Sequence, residues 1–333
     1  MKLNNRIVRF LVVLFLLTLI VGAYFIGLYN GAKKEHLIIK KTKFQADYKY
    51  ISPLLECTLA QIETPIITSL ENELNDYIAK AKKAENVSDV AVYFHDLNSD
   101  NWLGINLSSK FSPASLLKVP ILITFLKMAE TNPEILKHTV TTDDFAIPTT
   151  IPNITPLKSI QPNEAYTIEE LINYAIHYSD NRAANTLVSL IDPQMLSKVY
   201  TDIGLKIPGS EGEENFMTAA DYATFFEILY NATYLNKEMS EKALEILTKS
   251  TFSYGLVSGV PAEVEVAHKF GERVYENFKQ LHDCGIIYKD NNPYLLCVMT
   301  RGKMTDGDNF DDLTLIIKKI SEIVYNSIGE KAK

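Results

Sequence analysis

The chain has 333 residues and 47% hydrophobic content, which is enough for one large domain or two small ones with a substantial core. Its formal net charge is −8, but residues 1–50 contribute +7 from nine Lys or Arg against two acidic residues, so the remaining 283 residues carry −15. An acidic body argues against nucleic acid, and against an anionic surface, as the partner of the main domain.

The N-terminal segment predicts a membrane anchor. Residues 10–28 form an uncharged run of nineteen residues, long enough to cross a bilayer as a helix, and Arg6 and Arg9 precede it. The competing interpretation is a cleaved signal peptide ending near Val21-Gly-Ala23, but the apolar run continues past that point, so we favour the uncleaved anchor. The lysines that follow the run outnumber the charges before it. We nevertheless expect a single-pass protein of the cell membrane with its body extracytoplasmic, because of the chemistry described below.

The hydrophobic pattern after the anchor predicts an α+β domain. We expect a cytoplasmic tip and anchor over residues 1–29, a lysine-rich stem over 30–65, and one domain over 66–330. Capping boxes at Thr68 with Glu71 and at Thr167 with Glu170 predict two helix starts. The remaining predicted elements, in chain order, are strands at 90–97 and 102–107, a proline-dotted loop at 139–163, helices at 217–230 and 239–247, strands at 264–270, 285–288 and 294–299, and a closing helix at 312–328.

Two strands precede the block of helices and three follow it. This order predicts a five-stranded antiparallel sheet flanked by terminal helices, with an all-helical lobe over about 112–258 inserted between strands two and three.

The most informative stretch is Ser115-Leu-Leu-Lys118, at the start of a segment that is apolar on nearly every side through Met128. Such a segment predicts a helix buried in the domain centre, which has no structural reason to carry a lysine. If Ser115 begins the helix, the two side chains lie one turn apart on one face. A lysine can activate a serine hydroxyl only when burial and a neighbouring cation lower its pKa.

Two further polar clusters accompany this pair. Ser179-Asp180-Asn181 falls between two predicted helices, and His268-Lys269-Phe270-Gly271 is expected to end a strand. A cleft between the helical lobe and the sheet is the one place where all three clusters can meet.

With S-x-x-K, S-D-N and a K-x-G motif in this order, the chain resembles the serine β-lactamase and penicillin-binding D,D-peptidase superfamily, and most closely the class A β-lactamase-related serine hydrolases. The resemblance covers roughly residues 66–330 and implies a β-lactamase/transpeptidase-like fold. It implies that Ser115 is acylated, with Lys118 as the base or its partner, and that Ser179 relays the proton to the leaving nitrogen.

The resemblance assigns roles to the remaining site residues as well. Asn181 would hold Lys118 and the substrate amide, and Lys269 would supply positive charge for the substrate carboxylate and help to keep Lys118 neutral. The oxyanion hole would be formed by the backbone N–H groups of Ser115 and Glu272, with Gly271 beside them on the substrate-binding strand.

Two departures from the family pattern matter. Phe270 stands where the family usually has a Thr or Ser hydroxyl that binds the substrate carboxylate, and the loss of one hydrogen bond to a charged group weakens recognition by about ten- to a hundredfold. Glu211 and Asn215 match the E-x-x-x-N pattern that carries the deacylating base, but the segment between Gly204 and Thr218 is severely shortened. Without that base, the acyl-enzyme would persist, as in a penicillin-binding protein.

The sequence predicts no cofactor and no metal site, since the six histidines show no ligand spacing. Of the three cysteines, Cys284 and Cys297 fall on adjacent predicted strands, where we favour two buried thiols over a bridge.

Three functions follow. We expect a monomeric serine hydrolase that acts on β-lactams through an acyl-enzyme, with a β-lactam or a peptidoglycan-derived small molecule as its partner. The runner-up is a D,D-peptidase or other cell-wall peptide hydrolase, and the third is a non-catalytic wall-binding or sensor module that kept the fold.

Overall fold

The computed structural model describes residues 48–52, 65–84, 87–99, 101–142, 152–209, 212, 214–290, 292–304 and 309–328. The helices within these residues are α1 Pro65–Ala84, α2 Lys118–Ala129, α3 Ile168–His177, α4 Asn181–Leu190, α5 Pro193–Asp202, α6 Ala219–Tyr230, α7 Lys237–Thr248 and α8 Asp311–Ser327. The strands are β1 Val87–Asp96, β2 Trp102–Ile105, β3 Thr139–Thr141, β4 Ala165–Thr167, β5 Val266–Val274, β6 Phe278–Ile287 and β7 Tyr294–Lys303. Short 3₁₀ helices cover Ala114–Leu117, Pro133–Lys137 and Leu256–Gly259.

A five-stranded antiparallel sheet in the order β2-β1-β7-β6-β5 divides two hydrophobic cores. Alternate side chains of each strand point to opposite faces, so neighbours such as Ala91 and Val92 lie in different cores. One core packs the sheet against α1 and α8, and the other packs it against the helices between β2 and β5. The predicted α+β fold with a five-stranded antiparallel sheet is confirmed.

In the described part of the chain, no helix combines the length and the apolar character that a bilayer crossing needs. The predicted anchor at 10–28 lies outside the described residues.

Several predicted boundaries are wrong. The chain is already helical at Pro65, so Thr68 lies inside α1 and does not cap it. The third motif does not end a strand, because β5 continues to Val274. Part of the predicted loop at 139–163 is strand, since β3 pairs with β4 in a two-stranded sheet. By contrast, the predicted capping box of Thr167 and Glu170 is confirmed at the start of α3.

The prediction of two buried thiols is also wrong. Cys284 on β6 lies directly opposite Cys297 on β7, with their Cα atoms 4.0 Å apart, and the two form a disulfide. The sequence predicts that this strand starts only at Gly285, which is too short a strand to give the pairing register. The prediction is too short because Lys279, Gln280 and Asp283 are polar, although they are buried in the sheet.

Candidate active site

Ser115 lies on a tight turn that directly precedes α2. It is half-buried in the 3₁₀ helix Ala114–Leu117, and Ala114 before it has a left-handed backbone with φ of 49°. A non-glycine residue in that region costs about 1 to 3 kcal/mol and is held there only by its surroundings. The turn is therefore fixed by contacts with other elements.

Two of those contacts come from distant parts of the chain. A Cβ atom added at Gly271 on β5 would lie 2.5 Å from the Pro113 carbonyl oxygen and 3.1 Å from the Leu116 nitrogen, so only glycine lets the strand pass this close. The buried Tyr222 hydroxyl of α6 donates a hydrogen bond of 3.0 Å to the Leu116 carbonyl. Strand and helix thus hold the serine turn from both sides.

Lys118 begins α2, and its amine is surrounded by polar atoms. Its side chain is buried, and Nζ lies 2.9 Å from Ser115 Oγ and 3.2 Å from Ser179 Oγ. Nζ also donates to the Ser179 carbonyl and to Asn181 Oδ1, each at 2.7 Å. A neutral amine has two N–H groups and one lone pair. The two oxygens that can only accept use the two N–H groups, and this leaves the lone pair for the Ser115 hydroxyl, the nearer of the two hydroxyls.

Burial favours that neutral form. Desolvation lowers the pKa of Lys118 to about 7, although the Asp180 and Glu272 carboxylates oppose the shift. Near neutral pH a large fraction of the protein therefore carries an amine that can accept a proton.

Ser179, Asp180 and Asn181 form the turn between α3 and α4, where Ser179 has a left-handed φ of 57°. Asp180 caps α4 by accepting from the Arg182 N–H at 3.0 Å. Its other oxygen accepts from the buried Ile160 N–H at 2.8 Å, which attaches the preceding loop to the same turn. Asp180 therefore fixes the backbone that presents its two neighbours to Lys118.

Lys269 projects from the middle of β5 to the opposite side of Ser179. Its amine is fully buried and donates to Ser179 Oγ and to the Phe270 carbonyl, both at 2.9 Å. Burial, and next the charge of Lys118, lower the pKa of Lys269 well below its ordinary value. The Ser179 hydroxyl thus lies between two amines.

Ser115, Lys118, Ser179 and Asn181 line a cleft of about 660 Å³ between the helical lobe and β5, whereas Lys269 lies behind its wall. Glu272 lies on its wall, two residues beyond Phe270 on the same face of β5. Both Glu272 oxygens accept from Asn153 across the cleft, one from its backbone N–H and one from its side-chain amide, each at 2.8 Å.

The structure therefore brings together all seven site residues named from the sequence: Ser115, Lys118, Ser179, Asn181, Lys269, Gly271 and Glu272. Glu211 lies outside the described residues. Asn215, its partner in the pattern, accepts from Gln280 on β6 at 2.8 Å and does not line the cleft. In the described residues, no cluster of three or more His, Cys, Asp or Glu side chains is arranged to hold a metal ion.

Sequence reasoning missed Asn153 and Tyr222. Asn153 follows a proline in a polar stretch, where an asparagine is ordinarily a turn residue, and no pattern links it to Glu272. Tyr222 could have been suspected, since it lies on the apolar face of a predicted helix and a buried tyrosine hydroxyl needs a partner.

Comparisons with known proteins identify the family and the fold. A family model described as "Beta-lactamase enzyme family" matches residues 69–328. Beta-lactamase 3 of Bacillus cereus is 23% identical over 265 residues, which cover 75% of this chain and 81% of the relative. A variant of PBP-A, solved as an acyl-enzyme complex with penicillin G, is similar with a TM-score of 0.66 and 21% identity, covering 82% of this chain and all of that chain. A class A β-lactamase from Bacteroides cellulosilyticus has a TM-score of 0.67 at 18% identity, covering 81% of this chain and 100% of that chain.

Proposed function

The chain belongs to the β-lactamase enzyme family as a serine hydrolase of the β-lactamase type, and on that premise we propose that it opens β-lactams through an acyl-enzyme on Ser115. The single observation that carries the proposal is the arrangement around Lys118 Nζ. Two pure acceptors at 2.7 Å take its N–H groups, which leaves its lone pair for the Ser115 hydroxyl at 2.9 Å.

In the proposed reaction, Ser115 Oγ attacks the carbonyl carbon while Lys118 takes its proton. The carbon–nitrogen bond then breaks, and Ser179 passes a proton to the leaving nitrogen. Ser179 suits this relay because its hydroxyl lies 3.2 Å from Lys118 Nζ and 2.9 Å from Lys269 Nζ. Asn181 holds Lys118 in place, and the backbone N–H groups of Ser115 and Glu272 stabilise the negative oxygen that forms.

A cell-wall peptide hydrolase is the second candidate, and the position of Asn215 favours it. The Asn215 amide oxygen is engaged by Gln280 on β6, away from the cleft. An asparagine in that place does not help to position a deacylating water, so the acyl-enzyme would be long-lived. A non-catalytic wall-binding module is disfavoured, because such a module has no need to keep a lysine amine buried against a serine hydroxyl.

The N-terminal run at 10–28 supports a further part of the proposal, that the enzyme is anchored in the cell membrane with its domain extracytoplasmic. Substrates of the cell wall would be encountered on that side. Fractionation of cells expressing the full chain, with protease added from outside, tests this placement.

The reaction is tested by incubating the protein with penicillin G and following its intact mass over time. We expect a mass increase equal to the whole penicillin molecule, mapped to Ser115 by peptide sequencing. Ser115→Ala should abolish the adduct, whereas Ser108→Ala, which removes an exposed serine from the preceding turn, should not. Failure of penicillin and of a fluorophosphonate to label Ser115 would favour the non-catalytic module.

Turnover separates the two enzymatic candidates. Rapid loss of the adduct, with steady hydrolysis of nitrocefin, indicates a β-lactamase. An adduct that persists for hours indicates a peptide hydrolase that β-lactams inhibit.

A further inference from the structure

The wall of the cleft next to Lys269 has an unusual composition. Because side chains alternate along a strand, Phe270 and Glu272 share one face of β5, and both line the cleft. A phenyl ring and a carboxylate therefore occupy the part of the wall where the family resemblance leads one to expect a hydroxyl group that binds a substrate carboxylate.

The lysine on this strand is not available to replace that hydroxyl. Lys269 Nζ is fully buried, does not line the cleft, and lies 4.2 Å from the centre of the Phe270 ring. That ring is fixed in turn by stacking on Phe252, with 4.1 Å between the ring centres. The packed aromatic pair therefore lies beside an amine that has no exposed surface to offer a substrate carboxylate.

The charges that line the cleft also disfavour an anion. Among the described residues that line it, the charged ones are Lys118, Glu214, Glu272 and Arg273. Arg273 lies 3.6 Å from Glu214 and offsets its charge. When Lys118 is in its neutral, base form, one negative charge remains, and the Asn153 groups that bind Glu272 are uncharged amides.

We propose that Glu272 and Phe270 form a subsite for a positively charged amine, so that the enzyme selects acyl donors that carry a cation where penicillins carry a carboxylate. Glu272 can attract such a cation by its charge, because the two Asn153 groups that bind it are uncharged, and this attraction does not require the cation to have an N–H group. This inference rests on the proposed function, since it names the substrate class of the same acylation site.

The test uses three acyl donors that differ only at this position: penicillin G as the free acid, its methyl ester and its choline ester. The second-order rate constant for acylation of Ser115 is measured by intact-mass spectrometry. We expect the choline ester to react fastest and the free acid slowest. The difference between the cationic and the anionic donor should be about ten- to a hundredfold, as for one interaction with a charged partner.

Three comparisons assign the effect to the subsite. Glu272→Gln should reduce the advantage of the choline ester over the methyl ester to less than about twofold, and Phe270→Thr should accelerate the free acid by about tenfold. Glu276→Gln removes the same charge from an exposed turn outside the cleft, and it should leave all three rates unchanged. With the unmodified enzyme, added sodium chloride should diminish the preference for the choline ester, and this readout does not depend on the folding of a variant.

Faster acylation by the free acid than by the methyl ester, or an unchanged choline preference in a folded Glu272→Gln variant, would overturn the subsite. These outcomes leave the acylation of Ser115 intact. If no donor and no fluorophosphonate labels Ser115, the proposed function itself fails, and the subsite fails with it.

Discussion

Lys118 is the residue on which the proposed chemistry depends, because its protonation decides whether Ser115 can be activated. The Lys118 amine is buried among oxygens of Ser115, Ser179 and Asn181. Lys269 contacts the Ser179 hydroxyl from the opposite side. Burial disfavours the charged form of both amines, and the charge of Lys118 further disfavours that of Lys269. The sequence could identify Ser115 and Lys118 as a pair by their spacing, but it could not show which atoms surround the Lys118 amine.

The pKa of about 7 for Lys118 leads to a prediction for the pH dependence of acylation. Since only the neutral amine accepts the proton, the second-order acylation rate constant should rise with pH and reach half its maximum near pH 7. In Glu272→Gln, the midpoint should move to lower pH, because that carboxylate stabilises the ammonium form. The measurement is the acylation rate between pH 5 and 9, and a rate that does not change across this range would contradict the role of Lys118.

At the scale of elements, the site is built where a strand, a 3₁₀ helix and a helix-to-helix turn meet. The buried character of α2 and the capping box of α3 were predictable, because both depend on patterns within a few residues. The length of β6 was not, since its buried polar residues, such as Gln280, are satisfied by partners from distant parts of the chain. The two hydrogen bonds between Asn153 and Glu272 likewise cannot be predicted from any local pattern, because the residues are far apart in the sequence.

Asp180 should contribute more to stability than an ordinary helix cap. Asp180→Ala removes the cap of α4 and also leaves the buried Ile160 N–H without its acceptor, so we expect a loss of about 2 to 4 kcal/mol. Asp192 caps α5 through Gln194 but is exposed, so Asp192→Ala should cost only about 1 kcal/mol. Urea unfolding of the two variants measures both values, and equal losses would argue against the second role of Asp180.

At the scale of the whole domain, the disulfide between Cys284 and Cys297 joins β6 and β7, two neighbouring inner strands of the sheet. Cys284 is also the register partner of Lys269 on β5, so the bridge lies next to the strand that carries the third motif. The disulfide could have been predicted only from the pairing register of β6 and β7, and the sequence predicted the two strands without their register.

Removing the bridge should lower the free energy of unfolding by about 3 kcal/mol, the value for a closed loop of this length. The double variant Cys284→Ala with Cys297→Ala tests this by denaturant unfolding. Reducing agent should destabilise the unmodified protein to a similar degree and should not affect the double variant. An unfolding midpoint of the unmodified protein that is insensitive to reduction would mean that the two thiols are not joined in solution.

The strand order has a consequence for how the chain reaches its active form during synthesis. β5, which carries Lys269, is connected to β1 only through β6 and β7, and β7 is the last strand of the sheet to emerge from the ribosome. The helices between β2 and β5 can form early from local contacts. β1 can pair with its neighbour β7 only after about two hundred further residues have been synthesised. Ser115 and Lys118 are therefore synthesised long before β5, which holds their turn in place, and the active arrangement can form only after β5 has paired with β6.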